Sequence, residues 1–497
     1  MRKSISCSIL LVSFALLLVG CGGGMSSPNQ PLSPGMVQAS LTIHDNPPMG
    51  VTVLSFDIDV TGAELEPSDS SKPPVSMLSE SEDIELEHLQ TESALLASKS
   101  VPAGMYSGLM VSFANPRMTI QNQTLNPLML GSQSCPTQQI CEFDPTLNKS
   151  SVTMSFPFTL SMNSPVVLKM DFNVDASVQS NFSITPTVSV VQVPTMNSSG
   201  QPEEEDVEVV GTIPSDPSGN TFMVQTGMNG PTYTIATDTN TQFDFGTSCS
   251  TNNFSCLKKG QIVEVEAKMQ PGGSLLAFEV KLFQPPNQIS FAGTISSVSP
   301  GGTPAAPAGP SFQIVLFDEE AFGGEMGSFS MGMPLTINLA TSTAFTIDTG
   351  GFMLPSVTPV LSFGMFSDLM AGQEVRLHPT GLPSGMPPNV TVTVDQVQLE
   401  PSDVTGTITA TNTGSTPQTF TIGKLSSFFQ NAGIMSIQVD VLSNTRFETE
   451  EDQMVAGLGS FKVGDTVSVR GLLFKGTPTM VAEKVVNRSM SSTGTSD

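Results

Sequence analysis

From about residue 39 onward, apolar and polar residues alternate with a period of two in short runs separated by Gly and Pro. Between 39 and 195 the runs "SLTIHD", "VTVLSFDIDVTGAELEP", "SVTMSFPFTL", "VVLKMDFNVD" and "SITPTVSVVQV" predict strands that bury one face. Spacing of this kind predicts a β-sandwich of roughly seven strands. Within it, only "EDIELEHLQTESALLA" reads as a short helix. The polar, acidic stretch "MNSSGQPEEED" at 196–206 then reads as a linker.

Beyond the linker one order of motifs is written three times. The first copy has "VVGTI" (209–213), "TNTQF" (239–243), "LKKGQIVEVEA" (257–267) and "LLAFEVKL" (275–282). The second has "FAGTI" (291–295), "TSTAF" (341–345), "LMAGQEVRL" (369–377) and "VTVDQVQL" (392–399). The third has "VTGTI" (404–408), "SNTRF" (443–447), "FKVGDTVSVRG" (461–471) and "MVAEKVV" (480–486). Each copy reads as five short strands, with a glycine where backbones approach closely or a strand bends, and a Gly turn before the alternating fourth strand. That order suits a small closed barrel of the OB type, which leaves no free edge.

The fold class expected is therefore all-β: a sandwich of prealbumin or carbohydrate-binding type followed by three OB-like barrels. The divisions are 1–20 signal peptide, 21–38 lipidated cysteine and tether, 39–195 sandwich, 196–206 linker, 207–286, 287–401 and 402–490 barrels, and 491–497 tail.

The N-terminus breaks the β pattern. Arg2 and Lys3 precede an apolar run, Ile9 to Val19, that falls short of the about 20 residues of a spanning helix and has export-signal length. Leu18-Val19-Gly20-Cys21 resembles the bacterial lipobox. That resemblance implies cleavage between Gly20 and Cys21 and acylation of Cys21. Several acyl chains on one residue give the stable anchoring that a single chain does not. Gly22, rather than Asp, follows the cysteine, and by the same resemblance the outer membrane is favoured. The stretch "GGGMSSPNQPLSPGMVQ" reads as a flexible tether spanning on the order of 25 Å.

Cys7 and Cys21 fall in or at the end of the signal, leaving Cys135, Cys141, Cys249 and Cys256. Four cysteines allow three pairings, and the long gap in the sequence favours Cys135 with Cys141 and Cys249 with Cys256. Loops this small contribute about 2 to 3 kcal/mol each. Neither pair has the C-x-x-C spacing of a metal or redox site.

Two family resemblances attach to these patterns. The repeated "GTI…TxF…KxGDxVxVxG…A…V" resembles a domain of unknown function of bacterial, notably acidobacterial, exported lipoproteins. The third copy fits it best. The second departs most, with Met370 in place of Lys and an insertion "DEEAFGGEMGSFSMGMP". The run "VTVLSFDIDVTGAELEP", "DIELEHLQ", "ALLA", "VPAGMYSGLMVSF" resembles a second uncharacterised domain of exported proteins. Neither resemblance supplies functional residues.

Charge and chemistry narrow the rest. The chain carries 19 Lys and Arg against 45 Asp and Glu, a formal charge of −26, with no basic cluster. This argues against nucleic acid as partner. His44, His88 and His378 are its only histidines and lie far apart, and no nucleophile elbow, H-E-x-x-H or phosphate loop occurs. Asp57 and Asp59 share a strand face. They read as a solvated face, with calcium binding or catalysis the alternative. The acidic runs Glu203 to Asp206 and Glu448 to Asp452 read as solvated turns. Met326, Met331 and Met333 read as packing residues, with Cu(I) the alternative.

No catalytic residue, cofactor or metal ligand is expected. The reading that follows is a non-catalytic, lipid-anchored envelope protein, periplasmic or at the cell surface, contacting the membrane and an envelope protein or polysaccharide. The alternatives are a glycan or small-ligand binding module, and, with less behind it, a carbohydrate-active enzyme.

Overall fold

The computed structural model describes residues 35–46, 53–91, 93–162, 166–193, 205–226, 231–245, 249–270, 275–284, 290–301, 309–318, 330–348, 354–355, 361–385, 389–449 and 455–489. Over these residues the protein is all-β, with only short helical turns. Among them no helix is long and apolar enough to cross a membrane.

The N-terminal unit is a sandwich. One layer orders Val188–Val193, Val166–Asn173, Met36–Asn46 and Ser93–Pro102; the facing six-stranded layer is built on Val53–Pro67, Gly104–Gln121 and Ser151–Leu160. Inward positions of both layers, including Leu41, Ile43, Phe56, Ile58 and Val111, form one core. Phe172 stands edge-on to Phe56 and Phe113 across it, at 5.7 and 5.4 Å between ring centres.

Three details differ from the expected pattern. The first strand starts at Met36, inside the stretch read as tether, because Val37 is buried opposite Val101. Short strands such as Val75–Ser76 and Glu82–Glu85 bring the strand number above seven, having too few residues to show an alternation. The expected helix at 82–97 is instead strand Glu82–Glu85, a turn, and strand Ser93–Pro102. The Glu85 carboxylate pins that turn by accepting from the backbone N–H of Phe56 (2.8 Å) and of His88 (3.0 Å).

Each repeat closes into a barrel. Barrel I comprises Glu205–Thr212, Thr221–Gln225, Thr232–Ala236, Ile262–Met269 and Leu275–Gln284, with Gln242–Asp244 continuing the third-strand path. Barrel II comprises Phe291–Ser299, Ser311–Asp318, Pro334–Ile347, Glu374–Pro379 and Val390–Glu400. Barrel III comprises Ser402–Asn412, Gln418–Gly423, Ser436–Thr449, Thr466–Phe474 and Thr479–Asn487. In all three the ring runs first, second, third, fifth, fourth strand, and the third and fifth pair in parallel.

The repeated motifs have physical explanations. The glycine of "GTI" lets the first strand meet the second: a Cβ on Gly211 would stand 2.3 Å from the Gln225 carbonyl oxygen. The threonine of the "TxF" motif bridges the third-strand path to the fifth strand. Its hydroxyl donates to a fifth-strand carbonyl from Thr241 to Ala277 (2.7 Å), Thr343 to Val394 (3.0 Å) and Thr445 to Ala482 (2.6 Å). A glycine with positive φ precedes the fourth strand in each copy, Gly260, Gly372 and Gly464, a backbone state that side-chain-bearing residues rarely adopt.

The four units pack on one another. The first strand of barrel I extends the sandwich layer by pairing in parallel with Ser93–Pro102. Barrel II meets the sandwich where Thr119 Oγ1 donates to the Gly332 carbonyl (2.6 Å). Barrel III meets it where Thr91 Oγ1 donates to Asp403 (2.6 Å) and Thr405 Oγ1 to Gln90 (2.9 Å). Barrels II and III exchange apolar residues: Leu472 and Phe474 enter the core of II, Met370 and Ala371 that of III. The atypical Met370 thus sits where the turn of the second copy is covered by a neighbouring barrel, whereas the matching Lys258 and Lys462 face solvent. Solvent favours the Lys, and an apolar seam favours the Met.

Candidate functional site: a charged junction and its cavities

The outward faces of the fourth and fifth strands of the barrels would meet water if each barrel stood alone. Here they are turned toward one another and toward the sandwich. In barrel I, Lys281 Nζ contacts Glu264 (3.1 Å), Glu266 (2.9 Å) and Glu279 (3.9 Å). Glu264 also takes Arg376 of barrel II at 3.0 Å, and Arg376 reaches Glu400 at 3.3 Å. In barrel III, Arg470 pairs with Asp403 (3.0 Å) and Lys484 with Glu448 (2.9 Å). From the sandwich, His88 places Nδ1 2.6 Å from Glu85 and Nε2 3.5 Å from Glu374 of barrel II, its ring 3.6 Å from that of Phe317. Arg446 of barrel III lies 5.1 Å from the Phe278 ring of barrel I.

The repeat explains how opposite charges come together. Glu264, Arg376 and Ser468 each follow the turn glycine by four residues. One repeated position thus carries an acid on one copy and a base on the next, and their pairing joins barrels I and II.

Burial sets the titration of these groups. It works against the charge on Glu264, but Lys281 and Arg376 override it and hold the carboxyl at about 2. Burial likewise opposes the charge on Lys281, and Glu264, Glu266 and Glu279 override it and raise the ammonium further. Burial raises Glu374 to about 6, Glu400 to about 7 and Glu87 to about 8 against their cationic neighbours. On His88 burial is outweighed by Glu374 and Glu85, which raise the imidazole to about 9.

The signs agree for most of this set. A carboxyl raised in the folded state adds stability that is present at acid pH and lost as pH rises through its folded value. A raised histidine adds stability present below its ordinary value of about 6.5 and lost through its folded one. The thermal midpoint is therefore expected to be highest near pH 5 and to fall steadily to pH 9. A midpoint flat or rising over that range by differential scanning calorimetry would contradict it.

Two cavities flank the His88–Glu374 contact. The larger, about 430 Å³, lies between the sandwich (Leu54, Glu87, His88), barrel II (Gly372, Glu374) and barrel III (Asp403, Lys424, Phe428, Phe429). The smaller, about 220 Å³, is charged, with Glu264, Arg376, Glu400 and Arg470 in its wall.

The residues singled out from sequence fall elsewhere or change character. Gly20, Cys21 and Met326 lie outside the described residues. Both disulfides are present, Cys135–Cys141 and Cys249–Cys256, with Cα separations of 5.8 and 5.9 Å. The first closes off two short strands of the sandwich unit, the second the connection into the fourth strand of barrel I.

Asp57 is not on a solvated face: it is buried and takes Arg117 at 3.0 Å, while Asp59 accepts from Asn115 at 2.6 Å. The strand shifts register between them, and barrel II covers the Asp57 side near Ser55 and Gly332. Glu448, read as part of a solvated turn, is buried in the pair with Lys484; 450–452 lie outside the described residues. The side chains of 203–206 also lie outside them. Met333 is in the core of barrel II, and Met331 lines the smaller cavity.

The three histidines serve separate contacts: His44 lies 3.9 Å from Asp171, and His378 2.6 Å from Asp395. Among the described residues no group of three or more His, Cys, Asp and Glu is placed to hold a metal ion. The junction residues Glu264, Lys281, Arg376 and His88 were missed because outward strand positions read as solvent-facing. The only available signal was a charge reversed between copies at one repeated position.

No curated protein matches the chain. Residues 210–281 and 405–486, within barrels I and III, match the family model described as a domain of unknown function, DUF5666. The matches fall on the two copies that keep the lysine before the turn glycine. Residues 36–186, nearly the whole sandwich, match a second such model, DUF4382, so the chain is similar to two families of unknown function, one at its sandwich and one at two of its barrels.

Proposed function

We propose that this protein is a non-catalytic lipoprotein of the cell envelope, anchored through Cys21 to the outer membrane, that presents its sandwich and barrels as one rigid binding or assembly body. The observation that carries this is the charged junction. Independent modules on a string would leave the outer strand faces in water, whereas Glu264, Arg376, Glu374 and His88 pair across unit boundaries. The two disulfides fit an oxidising compartment. Envelope protein or polysaccharide is the partner class this reading favours, and the acidic charge disfavours nucleic acid.

Metabolic labelling with an alkyne palmitate followed by membrane fractionation tests the anchor. The unaltered chain is expected to label and sediment with outer membranes, and Cys21→Ala to lose both properties. Label retained in Cys21→Ala, or an unaltered chain in the soluble fraction, would overturn it.

The larger cavity favours a second reading, a small-ligand binding module. Its volume of about 430 Å³ lies in the ordinary range of small-molecule sites, about 300–1,000 Å³. Glycan is the less fitting occupant, since the aromatic wall is phenyl alone and offers no indole or phenol.

A further inference from the structure

We propose that the cavity between the sandwich, barrel II and barrel III binds a small zwitterion with an apolar body, of the amino-acid class. This deepens the ligand-binding reading and rests on it.

Most of the charged groups in the cavity wall are already engaged. His88 is engaged by Glu85 and Glu374, and Asp403 by Arg470 and Thr91. Two ionisable side chains remain, an acid from the sandwich and a base from barrel III. Glu87, from the sandwich, has a buried Oε1 with no hydrogen-bond partner among the described residues, its other oxygen accepting only a long 3.4 Å bond from Gln90. Lys424, from barrel III, makes no ion pair among the described residues and sits beside Phe428 and Phe429, whose rings meet edge-on at 5.3 Å.

A buried carboxyl oxygen without a partner is costly unless something completes it. An ammonium at Glu87, a carboxylate at Lys424 and an apolar body on the phenyl rings satisfy all three features with one molecule. Burial, assisted by the neighbouring Glu85, raises the carboxyl of Glu87 to about 8. At neutral pH an arriving ammonium therefore displaces a proton to solvent, and uptake is accompanied by proton release.

The test is calorimetric titration of the full chain with L-phenylalanine, L-phenylalaninamide, which lacks the carboxylate, and N-acetyl-L-phenylalanine, which lacks the ammonium. Phenylalanine is expected to bind at least tenfold more tightly than either analogue. Glu87→Gln should abolish the preference over the N-acetyl compound, and Lys424→Met the preference over the amide, with both variants keeping the circular dichroism spectrum and cooperative unfolding of the unaltered chain. Equal binding of the three probes, no binding of any, or preferences unmoved by the two substitutions would overturn the proposal. The broader reading is judged separately with a mixed small-molecule panel. A compound that raises the midpoint, with the effect lost in Ser426→Trp, would keep a ligand site in this cavity while the zwitterion fails.

Discussion

Replacing Lys281 with methionine is expected to destabilise the protein by about 3 to 5 kcal/mol, the cost of breaking a buried ionic group by removing one partner. Lys281 is almost fully buried, and its ammonium is within 4 Å of Glu264, Glu266 and Glu279. Methionine fills similar volume, so little of the loss comes from a cavity. The loss arises because three carboxylates in one pocket are left with Arg376 as the nearest cation, and that only at Glu264.

The pH dependence separates this cause from a packing defect. Glu264, held at about 2 by Lys281 and Arg376, contributes stability above its ordinary value that is lost only as pH falls through about 2. Without Lys281 that support weakens, and the acids take up protons at higher pH. The deficit of Lys281→Met relative to the unaltered chain should therefore shrink between pH 7 and pH 4. A deficit constant over that interval in urea titrations, or one below about 1 kcal/mol at pH 7, would mean that the junction is solvated and does not lock barrel I to barrel II. Lys281→Arg, which keeps the charge, should recover most of the loss.

Much of the fold was legible because it rests on local signals. Period-two runs marked the strands, the motif order marked three barrels, and the short spacing of Cys135 with Cys141 and of Cys249 with Cys256 marked the disulfides. Strands shorter than about five residues were not legible, since Glu82–Glu85 offers too few positions for an alternation. The candidate site was almost wholly illegible. Asp57, Glu264, Lys281 and Arg376 occupy the polar positions of alternating strands, and alternation distinguishes the core of one unit from its outside, not from a second unit packed on that outside. Met370 is the instructive exception. Its apolar character at a position that is Lys in the sister copies was visible in the sequence, and it marks the seam with barrel III.

That seam yields the second large effect. Gly372→Ala is expected to cost about 2 to 5 kcal/mol, while the same change at Gly260 or Gly464 costs only about 1 to 2 kcal/mol. All three glycines hold a left-handed backbone, with φ of +88°, +84° and +104°, so all three variants carry the strain of a Cβ in that region. Around Gly260 and Gly464 a Cβ would meet nothing within 4 Å, and strain is the whole cost. At Gly372 it would stand 2.2 Å from Cε1 of Phe429, in the ring that barrel III presses against this turn. Phe429 is itself buried and edge-on to Phe428, so it yields only by opening the seam. The three variants therefore form an internally controlled series in which one backbone substitution is read with and without a neighbouring barrel. A larger loss at Gly372, accompanied by faster proteolysis between barrels II and III, is the expected result. Equal losses at all three positions would show that the barrels do not bear on one another there, and that the cavity lined by Gly372 and Phe429 lacks a rigid wall.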